Sequence, residues 1–215
     1  MSTHTIQIPA GVMLPSGGRL ARKRLFDIVC AALGLVVLSP VFAICAVLVG
    51  LTSPGGVIFR QERIGRNGKP FFICKFRSMR KDNAGLKIST SSDSRITPVG
   101  HFLRKTKLDE LPQLWNVLKG DMSFVGPRPE VAEYVELYDE EQRQVLLVRP
   151  GITGIASIRF RNENELLEGS DDPNQTYIEE IMPQKIALDL EYIPKASVWY
   201  DVCLILKTLR TVIAE

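Results

Sequence analysis

The most constraining feature of this sequence is one long apolar run, residues 25–52, which reads LFDIVCAALGLVVLSPVFAICAVLVGLT. It contains a single charged residue, Asp27, and it is longer than the ~20 residues that span a bilayer. Its apolar residues would cover every side of a helix, which excludes an amphipathic surface helix. The run therefore predicts insertion into a membrane, and the alternative is a buried central helix of a soluble domain.

A Ser39-Pro40 pair interrupts this run near its middle. Proline lacks a backbone N–H and clashes with the preceding helical turn, so it bends or ends a helix. Basic residues flank the run on both sides: Arg19, Arg22, Lys23 and Arg24 before it, and Arg60, Arg63 and Arg66 after it. Because basic residues favour the cytoplasmic side of a membrane, both ends are expected on one face.

The resulting prediction is a re-entrant membrane helix over residues 19–53, broken at Ser39-Pro40. A kinked helix that spans the membrane is the alternative, since Pro also occurs in true spans. The Ser39 hydroxyl is expected to bond a carbonyl group that Pro40 leaves free. Residues 1–18 show no periodicity and are interpreted as a flexible leader, and residues 54–215 are predicted to form one domain that lies on the membrane surface.

Local patterns predict a mixed α/β fold that is mainly helical. Two β-rich runs flank Asn67-Gly68 within residues 57–79, which indicates a small β-hairpin. The polar, turn-rich residues 82–98 are interpreted as a mobile loop. Helices are expected over residues 105–123, 131–148, 175–193 and 197–215.

Sequence details refine three of these helices. Thr106 is expected to cap the helix over 105–123, placing Asp109 at its third position, and Gly120 is expected to end it. Its apolar stripe is predicted to be Leu108, Leu111, Trp115 and Leu118. The helix over 175–193 is expected to bend or begin at Pro183. The helix over 197–215 is amphipathic and begins with Trp199 and Tyr200, so it either lies in the membrane surface or packs on the domain.

The composition narrows the chemistry. The formal net charge is +3, but residues 60–81 hold eight basic residues against one acid, Glu62. Such clusters suit anionic headgroups, phosphorylated substrates or nucleic acid, or they form a solvated surface. The four cysteines include no C-x-x-C pair, which argues against a disulfide framework or a zinc site. Two histidines are too few for a histidine-rich metal site, and His101 is interpreted as structural.

Adjacent Asp109 and Glu110 are the candidate reactive groups. Acids at a helix start often only complement the helix dipole. Here cations are close in sequence, at Arg104, Lys105 and Lys107, and Arg128 stands between two prolines in the stretch GPRPE. A guanidinium held in this way suits bidentate binding of phosphate. A carboxylate beside a phosphate can hold Mg²⁺ or attack phosphorus, and the dipole and cations are expected to keep Asp109 ionised.

These motifs together resemble a known family. The stretches KRLFDIV, SPVF, FRQERIGRNGKPFFICKFRSM, VGHFLRKTKLDELPQLWNVLKGDMSFVGPRPE and RPGITG occur in this order. They are similar to those of the bacterial sugar transferase family, the monotopic polyprenyl-phosphate phosphoglycosyl transferases, in a minimal catalytic form. The resemblance runs from Arg22 to Gly154 and continues more loosely through Arg161-Asn162 and Asp189-x-x-Tyr192.

The resemblance implies a reaction and a place for it. A phosphosugar would pass from a nucleoside diphosphate sugar, usually a UDP-sugar, to polyprenyl (undecaprenyl) phosphate, with release of UMP and with Mg²⁺ as cofactor. This step starts assembly of bacterial surface glycans such as exopolysaccharide. The enzyme would be seated in the bacterial inner membrane at its cytoplasmic face, in contact with phospholipids. No nucleic acid partner is expected, and a homodimer is left open.

The resemblance also assigns residues. Asp109 would be the nucleophile, and Glu110 its acid/base or metal-assisting neighbour, so that both are metal candidates. The residues expected to bind substrate phosphate are Lys75, Arg77, Arg104 and Arg128. Arg161 and Asn162 mark a nucleotide-sugar region, although the preceding residues depart from the family pattern and an acidic insert follows at 163–176. Two alternatives are a membrane glycosyltransferase that releases UDP, and a non-enzymatic, membrane-anchored basic binding module.

Overall fold

The computed structural model describes residues 11–53, 55–80 and 93–213. The apolar run forms two helices, α1 (Gly17–Val37) and α2 (Ser39–Thr52), which meet at a bend of 63°. Pro40 has no N–H for the carbonyl of Val36, four residues earlier, and the Ser39 hydroxyl donates to that carbonyl at 2.7 Å. The predicted break and the predicted role of the Ser39 hydroxyl are both confirmed.

Across the described ranges, the length and hydropathy expected of a membrane span are met by α1 and α2 together, as a bent pair, and by neither helix alone. The side chains of this helix pair have two environments. One set is buried against the domain: Lys23, Asp27 and Ala31 of α1, and Cys45 and Val49 of α2. The other set is apolar and exposed, to 72% at Val36 and 80% at Leu51. Insertion of this exposed part into a membrane stays a prediction.

The predicted hairpin is confirmed. Strand β1 (Ile58–Ile64) pairs antiparallel with β2 (Pro70–Phe76). The turn between them holds Asn67 at φ 59° and Gly68 at φ 71°, and Asn and Gly are the residues that tolerate this left-handed conformation best.

The continuous helix over 105–123 is wrong. Helix α3 (Pro98–Lys105) ends there, and a one-turn 3-10 helix, Leu108–Glu110, precedes α4 (Gln113–Lys119). Pro112 has no N–H to continue a helix through this stretch. Thr106 does not cap a following helix, because its hydroxyl donates backwards to the Phe102 carbonyl at 2.8 Å. Gly120, at φ 99°, does end α4 as predicted.

Two further details concern the buried face of α4 and the start of α3. In α4 the buried apolar residues are Leu114 and Val117, whereas Trp115, in the predicted apolar stripe, is 54% exposed. Of the predicted loop over 82–98, residues 82–92 lie outside the described residues. Thr97 accepts a hydrogen bond from the Gly100 amide and so caps α3, which begins at Pro98.

A second, parallel pairing joins β3 (Ser123–Val125) to β4 (Gly151–Thr153). The strands approach so closely that a Cβ on Gly151 would lie 2.2 Å from the Gly126 nitrogen. Glycine is therefore required there by space. This pairing brings the GPRPE segment beside RPGITG, a contact that sequence patterns did not predict.

The C-terminal half is more segmented than expected. The helix over 131–148 is wrong as a single element, since α5 (Ala132–Glu136) and a 3-10 helix, Gln142–Leu147, replace it. Short helices α6 (Ile155–Arg159) and α7 (Glu163–Glu168) follow β4. Helix α8 (Pro173–Thr176) runs through a π-helical turn, Tyr177–Ile181, into α9 (Met182–Tyr192), whose first turn contains Pro183 as predicted.

The predicted last helix is present as α10 (Val198–Ile213). One side packs on the domain through Asp201 and Leu204, which are buried. The other side exposes Trp199, Leu206 and Leu209, with Trp199 exposed to 76%. The domain-packing alternative thus holds for one face, and the opposite face has the apolar character of a membrane-surface helix.

The basic group before the apolar run is divided, because Arg19 and Arg22 are exposed whereas Lys23 is buried and Arg24 is half-buried. Lys23 is buried and forms an ion pair with Asp201 of α10. The Arg24 guanidinium donates to the Val117 and Leu118 carbonyls at 2.6 and 2.9 Å, which satisfies the end of α4. Both residues hold α1 against the domain.

Candidate active site

Asp109 and Glu110 lie in the 3-10 turn between α3 and α4, where both are buried. Lys75 reaches them from β2, with its Nζ 2.9 Å from the Glu110 Oε1 atom. Arg128 reaches them from the segment after β3, with one guanidinium nitrogen 3.2 Å from the same oxygen. Three separate parts of the chain thus form one cluster of opposite charges.

Glu110 is held as a carboxylate. Burial opposes its ionisation, but the positive charges of Lys75, Arg128 and Lys107 outweigh burial, so the pKa of Glu110 lies well below its ordinary value. In return Glu110 raises the pKa of Arg128. A carboxylate with such a low pKa is a poor proton donor, which favours charge pairing over acid catalysis for Glu110.

Asp109 differs from its neighbour. It is 6% exposed, and its Oδ1 atom has no hydrogen-bond partner among the described residues. Burial, together with the charge of Glu110, raises the pKa of Asp109 above its ordinary value, although Lys75, Lys107 and Arg104 act to lower it. The cations thus act on Asp109 in the expected direction, but burial opposes them. A buried, unpartnered carboxylate oxygen is costly to maintain and is suited to a ligand or a reaction.

A magnesium ion fits part of this cluster. No group of three or more His, Cys, Asp or Glu side chains within the described ranges could hold a metal. Mg²⁺, however, is commonly held by one or two carboxylates, with water and substrate phosphates as its other ligands. Asp109 offers an unpartnered oxygen for such a site, whereas Glu110 is already paired with Lys75 and Arg128.

Arg104 and Arg77 are the other two residues that were predicted to bind substrate phosphate. Arg104, on α3, acts electrostatically on Asp109 and contacts the Met79 sulfur at 3.5 Å. Arg77 donates to the carbonyls of Gly55 and Gly56, each at 2.8 Å, and so braces the connection between α2 and β1. The structure does not bring Arg77 to Asp109, and its role in phosphate binding stays a prediction.

Arg161 and Asn162 are also outside the cluster. They lie between α6 and α7, where the Arg161 guanidinium donates to the Thr211 carbonyl of α10. The acidic insert that follows is mostly exposed, and it is anchored by Leu167, which is fully buried, and by Glu163, which pairs with Lys185 at 2.8 Å. A nucleotide-sugar role for Arg161 and Asn162 stays a prediction.

Sequence reasoning missed one residue that shapes the site. The buried Asn116 side chain donates to the Phe72 carbonyl at 2.7 Å and accepts from the Cys74 amide at 3.0 Å. These two bonds fix β2 against α4 next to Lys75. The only sequence signal was a polar residue on the buried face of a short helix.

The backbone of Lys107 shows a feature that the sequence did not reveal. It adopts a left-handed backbone conformation, φ 58°, two residues before Asp109. A non-glycine residue in this conformation is strained, and such strain concentrates at functional sites.

Comparison with known proteins is consistent with this geometry. The chain belongs to the bacterial sugar transferase family, whose sequence model matches residues 18–215. It is 44% identical over 200 residues to the UDP-glucose:undecaprenyl-phosphate glucose-1-phosphate transferase of Escherichia coli (strain K12), covering 90% of this chain and 40% of that protein. It is 39% identical over 216 residues to the UDP-N-acetylgalactosamine-undecaprenyl-phosphate N-acetylgalactosaminephosphotransferase of Aeromonas hydrophila, covering 98% of this chain and 48% of that protein.

A third relative is nearer in length. The UDP-glucose:undecaprenyl-phosphate glucose-1-phosphate transferase of Caulobacter vibrioides is 38% identical over 218 residues, which covers 99% of this chain and 77% of that protein. The chain spans less than half the length of the first two relatives. These relatives are named for different sugars, glucose and N-acetylgalactosamine.

Proposed function

We propose that this chain transfers a sugar phosphate from a UDP-sugar to undecaprenyl phosphate and releases UMP. The observation that carries the proposal is the unpartnered, buried Oδ1 atom of Asp109 beside the Lys75, Glu110 and Arg128 charge cluster. This arrangement offers a nucleophilic carboxylate next to cations that can bind phosphate. The family and the names of its relatives supply the substrate class.

In the first step, an Asp109 oxygen attacks the β-phosphorus of the UDP-sugar. A phosphorus–oxygen bond forms to Asp109, and the bond from the β-phosphorus to the bridging oxygen breaks. UMP leaves with that bridging oxygen, and the sugar phosphate stays on Asp109 as an acyl phosphate. Lys75 and Arg128 bind the phosphate oxygens and offset the charge that builds up on them.

In the second step, an oxygen of undecaprenyl phosphate attacks the same phosphorus. The bond from phosphorus to Asp109 breaks, which restores the carboxylate and releases undecaprenyl diphospho-sugar. No proton needs to be removed from a phosphate that is already ionised, which agrees with a Glu110 that stays anionic. The two substrates react one after the other, so ping-pong kinetics are expected.

Magnesium is part of the proposal. When bound, it would neutralise charge on the diphosphate and its leaving group. Asp109 is the ligand with an unpartnered oxygen, and Glu110 is its neighbour in the same turn. The Lys75 and Arg128 cations would still contact Glu110 and so keep its carboxylate in place.

Mass spectrometry of the protein provides the direct test. Incubation with UDP-sugar and Mg²⁺, without lipid acceptor, should add the mass of one sugar phosphate to the peptide that contains Asp109. Asp109→Asn should show no adduct, and Asp171→Asn, at an exposed aspartate, should label like the wild type. An adduct on another residue, or none on active wild-type protein, would contradict the covalent step.

The released nucleotide separates this reaction from its alternatives. UMP is expected, and UDP would identify a glycosyltransferase that moves only the sugar. A non-enzymatic binding module would release neither nucleotide above background. Running the assay with UDP-glucose and UDP-N-acetylgalactosamine in parallel would identify the preferred sugar, because relatives of both kinds are known.

We further propose that the Ser39-Pro40 bend turns the chain back within one leaflet, so that the catalytic domain lies on the cytoplasmic face of the inner membrane. The exposed apolar residues on both sides of the bend, such as Val36 and Leu51, support this placement. Undecaprenyl phosphate carries its phosphate at the headgroup level, so the enzyme must work at that surface.

Cysteine labelling tests this topology. In a variant without the four native cysteines, single cysteines introduced at exposed Arg19 and Lys69 should both react only from the cytoplasmic side. Labelling from opposite sides would show a spanning helix. Pro40→Ala is expected to straighten the pair of helices and shift part of the protein to that spanning form.

A further inference from the structure

Arg128 is presented by residues 125–130, a segment that is held at both ends. Pro127 and Pro129 have no backbone N–H, so this segment cannot form a regular ladder. Before Arg128, the Gly126 amide donates to the Thr153 carbonyl at 3.0 Å, and the Gly151 amide donates to the Pro127 carbonyl at 2.8 Å. After Arg128, the Ile64 amide of β1 donates to the Glu130 carbonyl at 2.8 Å, and Arg63 donates to the Pro129 carbonyl at 3.2 Å. The backbone of Arg128 itself lies between these two sets of contacts.

One face of α9 adds further contacts to this segment, including one at Arg128 itself. Lys185, Asp189 and Tyr192 are four and three residues apart, which places them on the same side of a helix. Each engages the segment at a different point, and all three are buried. The Tyr192 hydroxyl lies 3.2 Å from the Val125 carbonyl oxygen, and the Lys185 Nζ lies 3.7 Å from the Glu130 Oε1 atom.

Asp189 lies between these two contacts and meets the segment at Arg128 itself. The backbone amides of Arg128 and Ala156 face its carboxylate. Its Oδ1 atom is buried without a hydrogen-bond partner, and a Cβ on Gly154 would lie 3.7 Å from that atom. The carboxylate therefore contacts the ends of both parallel strands, just past β3 and just past β4.

A purely structural role explains this residue poorly. Burial raises the pKa of Asp189 to about 7, against the opposing effects of Lys185 and of the two amides, while Glu130 adds to the rise. A buried acid with an unpartnered oxygen destabilises a fold relative to an apolar side chain of similar size. What the carboxylate adds is a defined position for the Arg128 backbone.

We propose that Asp189, aided by Lys185 and Tyr192, is a positioning residue that holds segment 125–130 so that the Arg128 guanidinium meets Glu110 and the substrate phosphate. It does not touch the substrate. This inference deepens the proposed function and rests on it, because the readout is transfer that depends on Arg128.

Kinetics of matched variants provide the test. Asp189→Ala should lower kcat/KM for the UDP-sugar about 100-fold, since a misplacement of about 1 Å has effects of this size. Asp189→Asn, which keeps the shape, should lower it about tenfold. Glu191→Gln removes the same charge from an exposed site on α9, where the Glu191 carboxylate lies 3.9 Å from the Lys195 Nζ atom, and should match the wild type. If Asp189→Asn also matches the wild type, the positioning role is overturned.

A double-variant cycle separates positioning from general loss of structure. If Asp189 acts through Arg128, then Asp189→Asn should add little to the defect of Arg128→Gln, because the two changes remove the same interaction. Losses that multiply would contradict the proposal. Where turnover is too slow, the affinity of each variant for the UDP-sugar, measured by calorimetry, gives the same cycle without catalysis.

The pH profile gives a second readout. Protonation of Asp189 below pH 7 should weaken its hold on the Arg128 amide, so the wild type should lose more activity than Asp189→Asn between pH 8 and pH 6. Glu191→Gln should follow the wild type. If wild type and Glu191→Gln both fail to transfer a sugar phosphate, the proposed function fails. If they transfer it and Asp189→Asn does so equally at every pH, only the positioning role fails.

Discussion

Two buried clusters of charge in this molecule differ in how fully their polar atoms are paired. The first, which we call the α1–α10 junction, comprises Lys23, Asp201 and Tyr192. Lys23 donates to Asp201 and, at 3.0 Å, to the Val125 carbonyl, and the Tyr192 hydroxyl donates to Asp201 at 2.6 Å. Both Asp201 oxygens have a partner, so the junction is satisfied internally.

The second cluster is the active-site cluster, comprising Lys75, Asp109, Glu110 and Arg128. Glu110 pairs with two cations, but the Asp109 Oδ1 atom has no hydrogen-bond partner among the described residues. The comparison teaches that buried charge alone does not identify a site. A satisfied cluster stabilises the fold, whereas the active-site cluster combines an unpartnered carboxylate oxygen with cations that can bind phosphate. The predictions below test this distinction, from the largest effect to the smallest.

Asp109→Asn should have the largest effect on activity and the smallest harm to stability. An amide cannot replace the attacking carboxylate, so turnover should fall by at least about 10⁴-fold. Because burial raises the pKa of Asp109, its charged form destabilises the fold, and the amide should unfold no more easily than the wild type near neutral pH. UMP release and thermal unfolding in detergent measure the two effects. If Asp109→Asn loses activity only because it unfolds, the distinction between the two clusters would be contradicted.

Lys23→Met should behave in the opposite way. It leaves the buried Asp201 carboxylate without its cation, and breaking such a pair costs about 3–5 kcal/mol of unfolding free energy. Turnover per folded molecule should stay far above that of Asp109→Asn. Chemical denaturation gives the stability change, and Lys195→Ala, at an exposed pair, is the control that should change it by less than about 0.5 kcal/mol.

Asp189→Asn should make stability less dependent on pH. The folded-state pKa of about 7 is above the ordinary value, so the folded protein binds this proton more tightly than the unfolded chain does. The stability contribution of the protonated group is therefore lost as pH rises from about 4 to 7. At pH 8 the variant should be more stable than the wild type, by on the order of 2 kcal/mol, and the difference should shrink at pH 5. Equal differences at both pH values would contradict this assignment.

Lys107→Gly tests the strain beside the nucleophile. The left-handed conformation of Lys107 is unfavourable for a side chain with a Cβ atom, so glycine should be about 1 kcal/mol more stable there than alanine. Both variants remove the cation, and the difference between Lys107→Gly and Lys107→Ala isolates the backbone effect. Denaturation curves of the two variants provide the measurement, and equal midpoints would show that the backbone is unstrained.

The predictions that the structure confirmed rest on local chemistry. Pro40 breaks the apolar run because it lacks an N–H, Gly120 ends α4 because it accepts a left-handed conformation, and Asn67-Gly68 forms the hairpin turn for the same reason. The continuous helices predicted over 105–123 and 131–148 are wrong. The apolar spacing typical of a helix continues across Pro112, and across residues 137–141 between α5 and the 3-10 helix Gln142–Leu147, but the helix itself does not. The chain forms separate short helices there in spite of the continuous apolar spacing.

The site could be predicted in part. The motifs named Asp109, Glu110, Lys75 and Arg128, and the structure brings these four together. They did not reveal that Arg77 braces the Gly55-Gly56 turn. That contact depends on a neighbour more than 20 residues away in the chain, which no local pattern encodes.

The sequence alone determined the bend at Ser39-Pro40, the hairpin and the identity of the charged residues, because each depends on backbone rules or on a motif within a short stretch. Only the tertiary structure decided which charges are satisfied. Lys23 and Asp201 are 178 positions apart, and Arg128 meets Glu110 across 18. The surroundings then separated two adjacent acids. Burial raises the pKa of Asp109, whereas the charges of Lys75 and Arg128 outweigh burial at Glu110 and lower its pKa, because the pKa of a carboxylate depends on the solvent and charges around it.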